Sequence, residues 1–296
     1  MKKLTGLRSL RKTVKSAGSS VVITPSPDAS AARLDATEPG KPPALSVATF
    51  AWGGGAMLPQ AEALSLSLEK IRGKASAVTL SLPDTVAKIS IMDFETLPQN
   101  ADEEARLIGM KTAKGLFLKP EECVVSYHKL VPDKGARVAA VAAPRAFVEF
   151  FEDCLERAGM VVERVTLQSF DIFNVFTDRA GLSASYSLVI RRKGYFTFMA
   201  VRDNVLEFCR TKDVSGDEEY LGEVERSFSY YAAHSGEGAP DRLYSLDFAE
   251  KSILKAAVSN VEVEAISPAS LLPSGVDTPP GMDVLSVVAA FGALKY

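Results

Sequence analysis

Apolar residues recur at helical spacing within residues 138–176, VAAVAAPRAFVEFFEDCLERAGMVVERVTLQSFDIFNVF. The run opens as a strand of Val and Ala and turns at Pro144 into a helix that closes at Gly159. Proline suits the first helical position, where its missing N–H had no intrahelical partner. Glycine suits the C-terminal side because it enters the left-handed region without a Cβ clash. Phe147, Phe150, Phe151, Cys154, Leu155 and Ala158 fall on one face, while Glu149, Glu152, Asp153 and Glu156 take much of the other. The pattern predicts an amphipathic helix packed on a sheet, followed by a second short strand and an aromatic-rich helix.

The same reading extends along the chain. Residues 24–44, dense in Pro, Ser, Ala and Gly, read either as a linker or as a hairpin with a disordered tip. A strand is predicted at 45–50, a turn at Gly53-Gly54-Gly55 and a helix over 59–72. Strands and helices alternate over 76–165. Paired strands follow at 185–200 and 204–210, turning at Arg202-Asp203-Asn204. A helix from Asp217 carries Tyr220, Leu221, Val224, Phe228 and Tyr231 inward, and another strand is predicted at 242–246. The class is α/β with mixed sheets.

The order of these pieces resembles the PilM family, actin-like cytoplasmic proteins of type IV pilus assembly. That family is related to the competence protein A group and to the cytoplasmic domain of the secretion protein GspL. The helix closing in Leu155-x-x-Ala158-Gly159, the following Val162-x-x-Val165 and the aromatic helix carry the resemblance. Residues 77–130 resemble the family's small inserted subdomain, with the strand ending at Leu82-Pro83, the strand near Ile89 and Ile91, the helix opening at Asp102-Glu103-Glu104 and the turn at Pro120. Downstream, Glu207-Phe208-Cys209-Arg210, the helix bearing Tyr230-Tyr231 and the closing segment 287–295 resemble the second domain and the final helix. The resemblance covers roughly residues 75 to 296.

It implies an actin-like (FtsA/PilM-type) ATPase fold of two domains with a small inserted α/β subdomain. The expected division is a basic tail at 1–17, domain I at 18–75 and 166–183, the insert at 76–165, domain II at 184–277, and a C-terminal helix at 278–296 returning to domain I. Such folds hold a magnesium triphosphate between two hairpins, each usually with Asp-x-Gly, and a Gly-Gly turn lies against the adenosine. Close approach to phosphate needs glycine and donated N–H groups, and magnesium needs one or two carboxylates. All three positions depart from that pattern. After the strand at 20–23 stands Thr24-Pro25-Ser26-Pro27, Arg191 takes the place of the second aspartate, and Asp247-Phe248-Ala249 replaces the paired glycines. The resemblance with degenerate loops at Thr24, Arg191 and Asp247 implies no catalytic residue, no cofactor and no hydrolysis. Arg191, Arg192 and Lys193 are either a phosphate-pairing cluster or a solvated basic hairpin tip.

The expected function is a non-catalytic scaffold of a type IV pilus or type II secretion-like assembly. Its expected partner is an inner-membrane PilN-like protein, whose cytoplasmic peptide lies between the main domain and the insert, with Ile89, Ile91 and Phe94 near enough to supply apolar surface. The alternative is a nucleotide-binding actin-like ATPase or sugar-kinase-like enzyme with diverged phosphate loops, using ATP with magnesium.

Composition narrows this further. A net charge of −3 argues against electrostatic binding of nucleic acid. The cations are uneven, since Lys2, Lys3, Arg8, Arg11, Lys12 and Lys15 precede the first acidic residue, Asp28. Leu4, Leu7, Leu10 and Val14 fit one helical face, so this start reads as a basic amphipathic helix at a membrane surface or as a solvated tail. Cys123, Cys154 and Cys209 form neither a disulfide framework nor a metal cluster. No metal site accompanies His128 or His234. No P-loop or nucleophile elbow occurs, and no apolar run is long enough for a signal or a transmembrane helix. The expected location is cytoplasmic, peripheral to the inner membrane.

Overall fold

In the computed structural model the described residues are 7–8, 20–24, 30–35, 44–49, 69, 77–130, 136–179, 181–246, 254, 258, 261–276, 278 and 283–295. The first sheet has six strands: β1 (Leu7–Arg8), β2 (Ser20–Thr24), β3 (Ser30–Asp35), β4 (Ala44–Thr49), β5 (Ala77–Leu82) and, later in the chain, β9 (Val161–Leu167), in the order β1-β9-β5-β2-β3-β4. β5, AVTLSL, pairs in parallel with β2 on one side and β9 on the other. A central parallel strand is covered on both faces, so β5 is buried at every residue but the half-buried Thr79, with Ser81 enclosed as fully as Leu80.

Between β5 and β9 the chain builds a separate unit. Strands β6 (Lys88–Phe94), β7 (Cys123–Leu130) and β8 (Ala136–Pro144) form a three-stranded antiparallel sheet in the order β6-β8-β7. Helix α1 (Ala101–Ala113) covers it, opened by the Asn100 side chain, which accepts the N–H groups of Asp102 at 2.8 Å and Glu103 at 3.2 Å. Helix α2 (Arg145–Arg157) returns the chain to β9. It ends as the glycine predicted: Gly159 adopts φ +72°, its N–H donates to the Glu156 carbonyl, and Met160 N–H donates to that of Leu155.

Helix α3 (Gln168–Phe176) follows β9 directly and is buried along all nine residues. It lies in the core joining the first sheet, through Leu80 and Leu82, to the second, through Leu188 and Ile190. The second sheet comprises β10 (Tyr186–Arg192), β11 (Tyr195–Arg202), β12 (Val205–Asp213), β13 (Arg242–Leu246) and β14 (Glu262–Ala265), in the order β12-β11-β10-β13-β14. Helix α4 (Asp217–His234) packs on its outer face over Val189, Phe196 and Phe198. Helix α5 (Val284–Lys295) returns against α3. At Gly292 the two helices approach so closely that an added Cβ would stand 2.2 Å from the Asp171 carbonyl oxygen. Among the described residues no helix is long and apolar enough to cross a membrane.

Three expectations change. β5 and β9, assigned by sequence to the insert at 76–165, are hydrogen-bonded into the first sheet, so the insert lies between them. Their partners are distant in sequence, and an apolar run does not name its partner. Leu7 and Arg8 are extended and pair with Val165 and Arg164, which rules out a continuous helix through that start. Thr24 pairs with Ser30, so the hairpin is the correct alternative for this stretch, not the linker. The predicted tip at 25–29, the Gly53-Gly54-Gly55 turn and all of the helix at 59–72 but Glu69, which is helical, lie outside the described residues.

Candidate functional site

Side chains alternate along β10, so consecutive residues face opposite layers. Val189 and Arg191 point toward α4, whereas Leu188, Ile190 and Arg192 point toward the first sheet. The Arg191 guanidinium pairs with the Asp217 carboxylate and lies 4.2 Å from the centre of the Tyr220 ring. Arg192, only 9% exposed, turns inward. Its Nη2 donates to Ser286 Oγ at 2.7 Å, and its Nε lies 3.2 Å from the Asp283 carboxylate, both at the start of α5. The hairpin tip is thereby tied to the C-terminal helix by an ion pair within the protein.

Beside it lies a buried polar cluster. Ser81 Oγ and Thr166 Oγ1 both donate to Asp171 Oδ2, at 2.5 and 2.6 Å. Ser169 donates to Asp84. Burial pushes the Asp171 carboxyl up to about 7, against the opposing pull of the Ser81 and Thr166 hydroxyls. Burial likewise raises Asp84 to about 6, against the Ser169 hydroxyl and the Arg192 charge. Among the described residues no group of three or more His, Cys, Asp or Glu could hold a metal ion. Asp84 and Asp171 each accept from neighbouring hydroxyls, and Asp283 pairs with Arg192.

A groove of about 750 Å³ opens between the insert and the second sheet. Its floor is residues 208–213 of β12, the edge strand. Among the described residues no strand pairs with the outer side of β12, which β6 and the turn at 84–86 approach without joining its ladder. One wall is residues 84–89; the other is Arg226 and Tyr230 of α4. Tyr230 is 52% exposed, and its ring centre lies 5.7 Å from that of Phe208. Arg210 and Arg226 both pair with Glu223, at 2.9 and 3.0 Å. Lys88 and Lys212, on opposite sides, have no carboxylate partner among the described residues. Arg137 joins the insert to the second sheet, bridging Asp93 of β6 at 2.6 Å and Glu207 of β12 at 2.7 Å.

Three solved structures share this fold. That of the PilM-PilN type IV pilus biogenesis complex matches with a TM-score of 0.71 at 15% identity, over 93% of this chain and 98% of that one. A Bacteroides thetaiotaomicron protein described as having an actin-like ATPase fold gives a TM-score of 0.54 at 13% identity, over 85% and 91%. The chain has the actin-like fold. The cytoplasmic domain of EpsL, an inner membrane component of the type II secretion system of Vibrio cholerae, gives 0.57 at 14% identity, over 94% of each chain. The sequence matches no family model and no curated protein.

Within the actin-like frame the three sequence-predicted loop positions fare differently. Thr24 ends β2 in the first hairpin. Arg191 lies in the second hairpin on the face turned to α4, and Arg192 faces the first sheet. Asp247 lies outside the described residues. Ile89 lines the groove, whereas Phe94 is buried in the insert's own core beside Ile108, with Lys111 over its ring. The cluster around Asp171 was missed. Its signal was available: Asp171 is the one charged residue of the aromatic-rich helix 168–176, and Ser81 stands between Leu80 and Leu82 in β5.

Proposed function

We propose that this chain is a non-catalytic actin-like assembly protein of a type IV pilus or type II secretion-like apparatus. It captures an extended cytoplasmic peptide from a PilN-like inner-membrane partner and works at the cytoplasmic face of that membrane. The observation that carries this reading is the open edge of β12 beneath a groove walled by α4 and the insert. An added strand there gains main-chain hydrogen bonds from the edge and specificity from alternate side chains. Those facing α4 meet Phe208 and Tyr230; those facing the insert meet Ala87 and Ile89. Lys88 and Lys212 favour a peptide carrying carboxylates. The inward Arg192, tied to Asp283 and Ser286, supports a scaffold over a nucleotide enzyme, because a buried guanidinium repels a magnesium ion.

Calorimetric titration of the full chain tests both halves. Expected are saturable binding of the cytoplasmic tail peptide of a bitopic membrane protein encoded beside this gene and no heat from ATP with magnesium. Micromolar ATP affinity accompanied by turnover contradicts the proposal.

A further inference from the structure

Phe117 is 98% exposed and held at φ +57°, in the left-handed region that bulky residues seldom adopt. The 3₁₀ turn Lys114–Leu116 precedes it, and Phe117 N–H donates to the Lys114 carbonyl at 3.2 Å. The ring therefore stands at the apex of a tight turn instead of folding back onto α1. Leu116 and Leu118 flank it, half-buried, and Met110 near the end of α1 is 52% exposed.

Along the chain from residue 105 to 120 the charge has one sign. No acidic residue lies between Glu104 and Glu121, whereas Arg106, Lys111, Lys114 and Lys119 do, in a chain of net charge −3. Lys88 adds another cation: its Cγ lies 3.0 Å from where a Cβ on Gly115 would stand. Lys88, Lys114 and Lys119 have no carboxylate partner among the described residues. Glu121 and Glu122 are exposed beyond the turn, and the Glu122 carboxylate accepts the Lys119 backbone N–H at 2.8 Å.

We infer that residues 110–119 form a contact with an anionic lipid surface, in which Phe117 enters the headgroup boundary and the surrounding lysines pair with lipid phosphates. A phenyl ring exposed to water gains by burying its apolar surface at the acyl boundary, and each nearby lysine adds attraction to anionic lipid that salt weakens. Lys88 also lines the groove, so its mouth opens beside the membrane-facing turn. On the peptide-capture reading, a segment leaving the bilayer here enters the groove directly.

Flotation of the full chain with vesicles of equimolar phosphatidylcholine and phosphatidylglycerol tests this. Expected is salt-sensitive flotation that is absent with pure phosphatidylcholine. Phe117→Asn removes the ring while suiting the left-handed backbone, and it should weaken flotation about tenfold, as should Lys114→Glu with Lys119→Glu. Because all three native cysteines are buried, acrylodan on Phe117→Cys reports the apex alone, and its emission should shift to shorter wavelength on the anionic vesicles. Flotation unchanged in both variants would assign binding to the basic residues before Asp28 and overturn the inference. Absence of wild-type flotation would overturn it too, while peptide capture measured without vesicles would stand unaffected.

Discussion

Arg192 and Asp283 meet across 91 residues of sequence, the Arg192 Nε lying 3.2 Å from a carboxylate oxygen of Asp283. Asp283 also caps α5, accepting the Leu285 N–H at 3.2 Å. Asp283→Ala removes the cap and leaves a buried guanidinium without its counter-charge, and is expected to cost about 2 kcal/mol in urea unfolding. Asp283→Asn keeps the cap and should cost about half as much. Arg192→Met, which removes the buried charge itself, should cost less than Asp283→Ala. The reverse order would show that this pair does not hold the hairpin to α5.

Gly292 has a packing role. A methyl group there would stand 2.2 Å from the Asp171 carbonyl oxygen and 3.0 Å from Val175 Cγ2, and backbone cannot yield as a flexible side chain does. Gly292→Ala is expected to destabilise by about 2–3 kcal/mol despite alanine's better helix propensity. A stabilised variant by thermal melting would contradict the close approach of α3 and α5.

Stability should carry the signature of Asp171. Its carboxyl is raised from 3.8 to about 7 by burial, so the native state binds more protons than the unfolded state between those values. Its contribution is therefore full below the unfolded value and is lost as pH rises toward 7. Asp171→Asn abolishes this dependence, so the stability difference, variant minus wild type, should rise from pH 5 to pH 8 by on the order of 2 kcal/mol. Glu104 and Glu207 do not mask the effect: hydrogen bonds from Lys129 lower the first, and those from Tyr231 and Arg137 outweigh burial at the second, so both titrate below this window. A flat or falling difference would contradict the buried carboxyl.

How much of this was legible depended on distance along the chain. The span of α2, its proline entry and its glycine exit follow from neighbours a few residues apart, and so does the turn at Asp203-Asn204, whereas the run 185–200, read as one strand, breaks at Lys193-Gly194 into β10 and β11. Lys193-Gly194 and Asp203-Asn204 carry the positive φ values such turns need, at Gly194, Asp203 and Asn204. The sheet membership of β5 and β9 depends on parallel partners that no local pattern names. The facing of Arg191 and Arg192 depends on register, and a single-residue shift reverses every side chain. The groove was hidden for the same reason, since its floor and the insert wall lie more than a hundred residues apart.

Register makes a separate prediction about Arg191. Because it faces Asp217 and Tyr220, Arg191→Asp should lose about 1 kcal/mol through the lost pair and cation–π contact. It should confer no binding of ATP with magnesium in calorimetry. Gained nucleotide affinity would mean that this position faces the cleft after all.

An extended peptide added to the edge of β12 would shield its amides, which hydrogen exchange of the full chain, with and without the partner's cytoplasmic tail peptide, reads directly. Expected is new protection concentrated in residues 206–213, abolished when alternate peptide amides are N-methylated and weakened by Lys212→Glu. Tight capture of the peptide with unchanged exchange along β12 would contradict it.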